Sequence, residues 1–420
     1  MSRIVLTTIG SLGDLYPQLA IALELRQRGH DIAFATHQEY RDKIESLGFE
    51  FHRMRPDNTA LTDPQEMAKM MDLKTGTEYV ICNWIGANLR ETYADLMAIA
   101  AGADCIVAGE GVVAARIVAE QLRKPWASAV LQPASFLSAY DPSVIPVFPW
   151  LAKFRRFGAL LNHGIVRLSK AIAKSWAEPV HQLRSELGLP PLTGNPFIDD
   201  KSSPYLVLAL FSSVLASPQP DWASSTIQTG FPFYDDGTML SSELEHFLDA
   251  GEPPIVFTLG SAAVMTPGTF FRESIRAAEI LNRRAVLLMG RNPLPKQLPD
   301  RVLAVDYAPH YRLFPQACAI VHQGGVGTTA AALRAGRPTV VMPYSHDQPD
   351  NAARVERLGT SLTITRQRYS ATRVSRTLSQ LLDNPDYARS AEQVAGAIVC
   401  ERGVETACNA IEQKLCIPWR

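Results

Sequence analysis

The sequence predicts an α/β fold of two Rossmann-like halves, and three stretches carry that reading. Residues 3–9 form a β-branched run and residues 10–14 a glycine-bearing loop. Residues 17–28 read as a helix with Pro17 in its first turn, and residues 31–36 as a second strand, completing a βαβ unit. After Glu252-Pro253-Pro254, the run Ile255-Val256-Phe257-Thr258-Leu259-Gly260-Ser261 opens a second unit of the same kind. Ala319-Ile320-Val321 then leads through His322-Gln323-Gly324-Gly325-Val326-Gly327-Thr328-Thr329 into the helix formers 330–335 and the strand run 339–343. At 420 residues the chain is long for one domain and sufficient for two. We expect a first domain over 1–218, a linker over 219–235, a second domain over 236–402 and a closing helix over 403–420.

Within the first half, residues 57–100 read as polar, Met-bearing and helical. Residues 103–108 read as a strand ending at Gly109-Glu110-Gly111, and 126–131 and 206–211 as two more. Ligands of doubly wound sheets gather at the carboxyl ends of strands. Glu110 is therefore a candidate to orient a ligand or assist a base, and equally a simple helix-start carboxylate. Ser217-Pro218-Gln219-Pro220-Asp221 is turn-rich and begins the linker. In the second half, 285–291 repeats the strand-to-turn pattern and ends on Arg291, a ligand contact or a solvated surface arginine. A last helical segment runs over 390–415.

Composition narrows the function classes. Hydrophobic residues make up 46% and charged residues 20%, the balance of a globular enzyme with full cores. A formal net charge of −1 gives no reason to expect a nucleic-acid partner. Six cysteines stand singly, without a C-x-x-C pair, so neither a zinc site nor a disulfide framework is expected. The N-terminus enters a strand directly and polar residues interrupt every long apolar run. We expect no signal peptide, no spanning helix and a cytoplasmic setting.

From Pro142 to Ala177 there is no acidic residue, while Lys153, Arg155, Arg156, Arg167, Lys170 and Lys174 alternate with aromatic and aliphatic side chains. Residues 148–176 thus read in two ways: as helices walling a greasy pocket, or as a peripheral contact with an anionic membrane.

The glycine turn carries the chemistry. Three glycines in four positions, Gly324, Gly325 and Gly327, let a ligand approach the backbone. Free N–H groups at the helix start, by Thr328 and Thr329, favour phosphate. The stretch reads as an anion cradle.

From His322 through Gln348 the chain resembles the donor-binding signature of inverting, nucleotide-sugar-dependent glycosyltransferases with the GT-B architecture. The resemblance implies that His322 and the turn with Gly324, Gly325, Gly327 and Thr328 hold the donor diphosphate. Asp347 and Gln348, 25 and 26 residues after His322, would hold sugar hydroxyls. Tyr307-Ala308-Pro309-His310 resembles the family's Trp-Ala-Pro-Gln, whose aromatic covers the nucleobase. Gly260-Ser261 resembles a loop reaching the phosphates, with Arg291 near the base or diphosphate. Gly13-Asp14 resembles the amino-terminal loop where the general base sits; taken alone, Asp14 is equally the cap of its helix. The family's last helix crosses back to the first domain.

The expected reaction is transfer of a hexose to a hydroxyl of a hydrophobic small molecule, with a nucleotide-sugar co-substrate and no cofactor. No two aspartates are separated by one residue, so the metal motif of the other large glycosyltransferase architecture is absent and no metal is expected. Ala330 stands where plant members carry the glutamate that grips the ribose hydroxyls, which leaves room for a 2′-deoxy donor. Over nearly its whole length the chain resembles bacterial rhamnosyltransferases, rhamnolipid and flavonoid enzymes among them, and the sterol-glucosyltransferase-like branch. That makes dTDP-L-rhamnose the leading donor and a flavonoid, other phenolic or lipid the leading acceptor. UDP-glucose is the alternative donor, and a non-catalytic partner of a transferase the alternative of another class.

Overall fold

The computed structural model describes residues 1–57, 63–146 and 158–416, with the side chains of residues 159 and 161 excepted. Seven strands belong to the first half: β1 (Arg3–Thr7), β2 (Asp31–Thr36), β3 (Glu50–Arg53), β4 (Cys105–Gly109), β5 (Trp126–Val130), β6 (Leu206–Ala209) and β7 (Thr226–Gln228). Six belong to the second: β8 (Ile255–Thr258), β9 (Ala285–Leu288), β10 (Val302–Val305), β11 (Ala319–His322), β12 (Thr339–Val341) and β13 (Ser361–Thr363). Each set pairs in parallel, in the orders β3-β2-β1-β4-β5-β6-β7 and β10-β9-β8-β11-β12-β13. This is the expected α/β arrangement of two Rossmann-like units.

Near-continuous apolar strands suit sheets covered on both faces. Alternation divides them: Ile4 and Leu6 pack on one face of the first sheet and Val5 on the other. In β11, Ala319 and Val321 join one core and Ile320 the opposite one.

Four expectations change. The first helix runs from Leu12 to Gln27, starting five residues earlier than expected, because Ser11 caps it and Pro17 falls inside. Pro17 has no N–H to offer the Gly13 carbonyl one turn back, a loss tolerable so near a helix start. The stretch expected as linker contains β7, the edge strand of the first sheet; three residues are too few to show a period. β3, β10 and β13 are likewise short strands that went unread. The expected helix over 390–415 is two, Pro385–Val399 and Gly403–Leu415, broken where the chain turns against the Phe231 carbonyl, with no room for a Cβ on Gly403.

Contacts join the halves at three places. The helix Gly403–Leu415 packs Ala407, Cys408, Ile411 and Leu415 into the first half's core with Leu15 and Leu19, and Glu412 pairs with Arg28 at 2.8 Å. The region 57–100 forms the helices Pro64–Met70, Gly76–Tyr79 and Leu89–Ala100 with a wide-wound turn, Val80–Gly86, and its Met67 and Met71 are buried in the second half's core. Arg354, 1% exposed, pairs with Asp350 at 2.6 Å on its own helix and with Asp141 of the first half. The Val144 N–H donates to the other Asp350 oxygen at 2.8 Å.

Residues 148–157 of the basic stretch read over 148–176, with Phe148, Trp150, Phe154, Arg155 and Arg156, lie outside the described residues. Its described part forms the helix Ala159–Ile172, with Leu160, Leu168 and Ile172 exposed. No helix among the described residues is long and apolar enough to cross a membrane.

Candidate active site

Strand order reverses between β1 and β4 in one half and between β8 and β11 in the other. The loops at those four carboxyl ends face each other across a cleft of about 1560 Å³. At its floor the halves nearly touch: a Cβ placed on Gly327 would lie 3.9 Å from the Gly13 Cα.

Asp14 sits in the loop after β1. Its Oδ2 accepts the Ser11 N–H at 2.8 Å, while Ser11 Oγ accepts the Gly13 N–H at 3.2 Å, a reciprocal capping box. Burial pushes its carboxyl up to about 6 against the pull of the Ser11 N–H, and the charge of Glu110 adds to the rise. Gly10 has φ +124°, and a Cβ there would collide with the Asp14 carboxylate. The Gly10 peptide is gripped on both sides: its N–H donates to His37 Nε2 at 2.9 Å and its carbonyl accepts from Tyr40 Oη at 2.8 Å. His37 is fully buried, and its Nδ1–H donates to the Pro56 carbonyl at 2.8 Å, which fixes the tautomer. Burial brings it down to about 4, so it stays neutral. Neither His37 nor Tyr40 was singled out from the sequence. The available signal was slight: both follow β2, whose carboxyl end adjoins that of β1.

Glu110, at the end of β4, is held at both oxygens. Lys201 pairs with Oε1 at 2.7 Å and the Ser135 hydroxyl donates to Oε2 at 2.7 Å. Each oxygen thus has one fixed partner, which sets the orientation of the carboxylate at the cleft wall. Around it the first half lines the cleft with Ile9, Met70, Ile81, Trp84, Leu131 and Ile145.

On the opposite side the helix Val326–Arg334 points its first turn into the cleft. Its cap, Gly325, supplies no side-chain acceptor, so the N–H groups of Val326, Gly327 and Thr328 remain for an anion. Ser261 and Arg291 stand exposed on the same side.

His322 requires a correction. It is 0% exposed and lies beneath the turn, its Nδ1 accepting the Gly324 N–H at 3.0 Å, so it shapes the loop and does not line the cleft. Burial and the neighbouring His310 bring it down to about 3. Gly324 is likewise turned away, its carbonyl taken by Asn351 Nδ2 at 2.9 Å. The side chain that reaches the cradle is Gln323. Its amide nitrogen occupies the space a Cβ on Gly260 (φ +65°) would need, and its Oε1 is buried without a hydrogen-bond partner among the described residues. Alternation explains the exchange: His322 ends β11 on the face of Ile320, and its successor turns the other way.

Asp347 and Gln348 face the cleft at the start of the helix Gln348–Arg357. Asn351 Nδ2 donates to Asp347 Oδ2 at 2.6 Å, and burial, with the charges of Asp14 and Asp350, pushes the Asp347 carboxyl up to about 7. Gln348 Oε1 accepts the Tyr344 N–H at 2.8 Å, which orients its amide. Tyr307 is 54% exposed at the cleft mouth beside Tyr16, whose ring lies 5.1 Å from that of Tyr234. Ala308 is buried, so only its backbone can serve a ligand. Ala330 and Ala331 both line the cleft and bring no carboxylate to it. Among the described residues no three His, Cys, Asp or Glu side chains group as metal ligands.

The N-terminal domain model of glycosyltransferase family 28 matches residues 4–140, and the C-terminal domain model of the erythromycin biosynthesis protein CIII-like group matches 279–408. The chain is 30% identical to the O-mycaminosyltylonolide 6-deoxyallosyltransferase of Streptomyces fradiae, across 98% of this chain and 97% of that one. It is also 30% identical to the sterol 3-beta-glucosyltransferase of Neurospora crassa, over 98% of this chain but only 27% of that longer protein. Among solved structures, the calicheamicin glycosyltransferase CalG4 superposes with a TM-score of 0.73 at 17% identity, with full coverage of both chains. The glycosyltransferase VinC in complex with dTDP gives 0.67 at 19%, covering 98% of each. At such identities the structural likeness speaks for the fold.

Proposed function

Because the chain belongs to the glycosyltransferases of the GT-B fold, we propose that it moves a 6-deoxyhexose, with L-rhamnose leading, from a dTDP-sugar to a hydroxyl of a hydrophobic small molecule. The observation that carries this reading is convergence: Asp14 from one half, and Asp347, Gln348 and the bare helix start at Val326 from the other, meet on one stretch of cleft floor. Ala330 and Ala331 support a 2′-deoxy nucleotide, since neither can bind a ribose 2′-hydroxyl. The related 6-deoxyallosyltransferase and the dTDP complex of VinC point the same way. The apolar first-half wall suits a phenolic, polyketide or lipid acceptor. Sterol glucosyltransferase relatives keep UDP-glucose as the second donor.

In this reading the acceptor oxygen attacks the anomeric carbon from the side opposite the diphosphate, with inversion. Its proton passes to Asp14 as the new C–O bond forms. A carboxylate is too weak a base for a resting alcohol, but the oxygen becomes acidic as it bonds to an oxocarbenium-like carbon. The old C–O bond breaks with its electron pair on the phosphate, which the N–H groups at Val326–Thr328, Ser261 and Gln323 stabilise by fixed dipoles. Asp347 and Gln348 hold the sugar in line.

A calorimetric panel of dTDP, UDP and their rhamnose and glucose conjugates, followed by turnover with and without EDTA, tests the reading. Tighter dTDP-rhamnose binding and chelator-resistant transfer are expected. A strong preference for UDP-glucose would replace the donor, and activity lost to EDTA and restored by Mg²⁺ would replace the metal-free mechanism.

A further inference from the structure

His346 immediately precedes Asp347 and Gln348, the pair proposed to hold the sugar, and its φ is +57°. Non-glycine residues rarely take this left-handed conformation, and where they do the surroundings enforce it. Arg123, Leu137 and Asn282, the other non-glycine residues described with positive φ, each end a helical turn. His346 ends none.

What holds it belongs to the other half of the molecule. Its Nδ1 lies 3.2 Å from the Thr77 hydroxyl, and the imidazole also faces the Met70 carbonyl. A neutral ring satisfies both, accepting from Thr77 at one nitrogen and donating to Met70 at the other. Next to it, Ser345 Oγ sits 3.9 Å from Met71 Sδ, and Met71 and Met67 are buried in the second half's core. The same first-half segment turns Met70, Thr77, Ile81 and Trp84 toward the cleft as acceptor wall.

We propose that His346 is a positioning residue through which the first-half segment 64–86 sets the sugar-binding turn, so that Asp347 and Gln348 are aligned only while the acceptor wall is docked. The inference rests on reading the cleft as a glycosyl-transfer site. Donor-sugar affinity and the integrity of the acceptor wall are then linked, and the nucleotide diphosphate, held by the Val326 helix start, is outside the link.

Two variants separate backbone from side chain. Gly accepts φ +57° without strain, so His346→Gly keeps the turn and deletes the hook. Thr77→Val removes one partner from the other half. With the donor that the wild-type protein turns over, His346→Gly is expected to leave affinity for the free nucleotide diphosphate within about twofold. It should weaken the nucleotide sugar by at least about fivefold, the low end of ordinary coupling between sites, and lower kcat. Thr77→Val should cause part of the same loss, and the double variant should be no worse than His346→Gly. Wild-type sugar affinity in His346→Gly, or losses that multiply, would overturn the proposal. Amide hydrogen exchange of the ligand-free protein tests the link whatever the donor proves to be: His346→Gly should speed exchange in 64–86 and 344–348 together. A change confined to 344–348 would remove the coupling even if the transferase reading stands, and a wild-type protein inert to every nucleotide sugar would remove that reading alone.

Discussion

Asp14 Oδ2 accepts the Ser11 backbone N–H at 2.8 Å, so the carboxylate proposed as general base also closes the first turn of its own helix. Asn at this position retains the shape and most of the capping, since Asn and Asp are comparable at helix starts, but cannot take a proton. Asp14→Asn should fold and bind dTDP nearly as the wild type does and lower kcat by about 10²–10⁴. The deficit should shrink as the acceptor phenol becomes more acidic. Near wild-type turnover with an aliphatic alcohol would disqualify Asp14.

The raised carboxyl groups give a pH dependence with a definite sign. Asp14 and Asp347 are pushed up to about 6 and about 7, above the ordinary aspartate value of 3.8. A base must be ionised, so kcat/KM should climb with pH through about 6. Stability runs the other way. The folded state binds these protons more tightly than the unfolded one, so their contribution is complete below about pH 4 and is lost as pH rises through 6 to 7. Buried histidines such as His37, brought down to about 4, have the opposite slope. The clean measurement is therefore the difference in Tm between wild type and Asp14→Asn: the wild-type advantage should fall between pH 4 and 6, and a flat difference would contradict the assignment.

Gln323 and His322 should fail differently. Gln323→Ala removes the amide that lies in the cradle and should weaken dTDP by about 10-fold or more, the worth of a hydrogen bond to a charged group, with Tm barely moved. His322→Ala opens a buried void and frees the Gly324 N–H, so its main cost should be in Tm. Calorimetry and thermal unfolding on the two variants decide, and a reversed pattern would return His322 to the donor contacts.

Arg354 is buried with Asp350 and reaches Asp141 across the halves. Arg354→Met strands an uncompensated carboxylate, for which about 3–5 kcal/mol of destabilisation is expected in denaturant unfolding. The double change Arg354→Met with Asp350→Leu should recover much of that loss. Failure to recover would mean that the pair matters through its contact with Asp141.

Much of this protein was legible in the residue order alone. The pair Asp347-Gln348 was marked by the family resemblance, whereas the longer strands, the glycine turn and the helix that follows it depend on alternation, turn chemistry and caps, which act over a few residues. The α/β class and the two-unit plan followed from them. Short-range signals also mislead: Pro17 reads as a first-turn residue although Ser11 caps the helix upstream of it, and three- or four-residue edge strands such as β7 carry no readable period.

Tertiary structure decided the rest. Whether His322 or Gln323 meets the ligand depends on the face that β11 presents once it is paired with β8 and β12. His37 became part of the Asp14 loop because β2 lies beside β1. The hold on His346 comes from Thr77, 269 positions away, and that on Arg354 from Asp141, 213 away. Such contacts cost chain entropy to close and exist only when both halves are folded and docked. Local residue preferences contain no term for them.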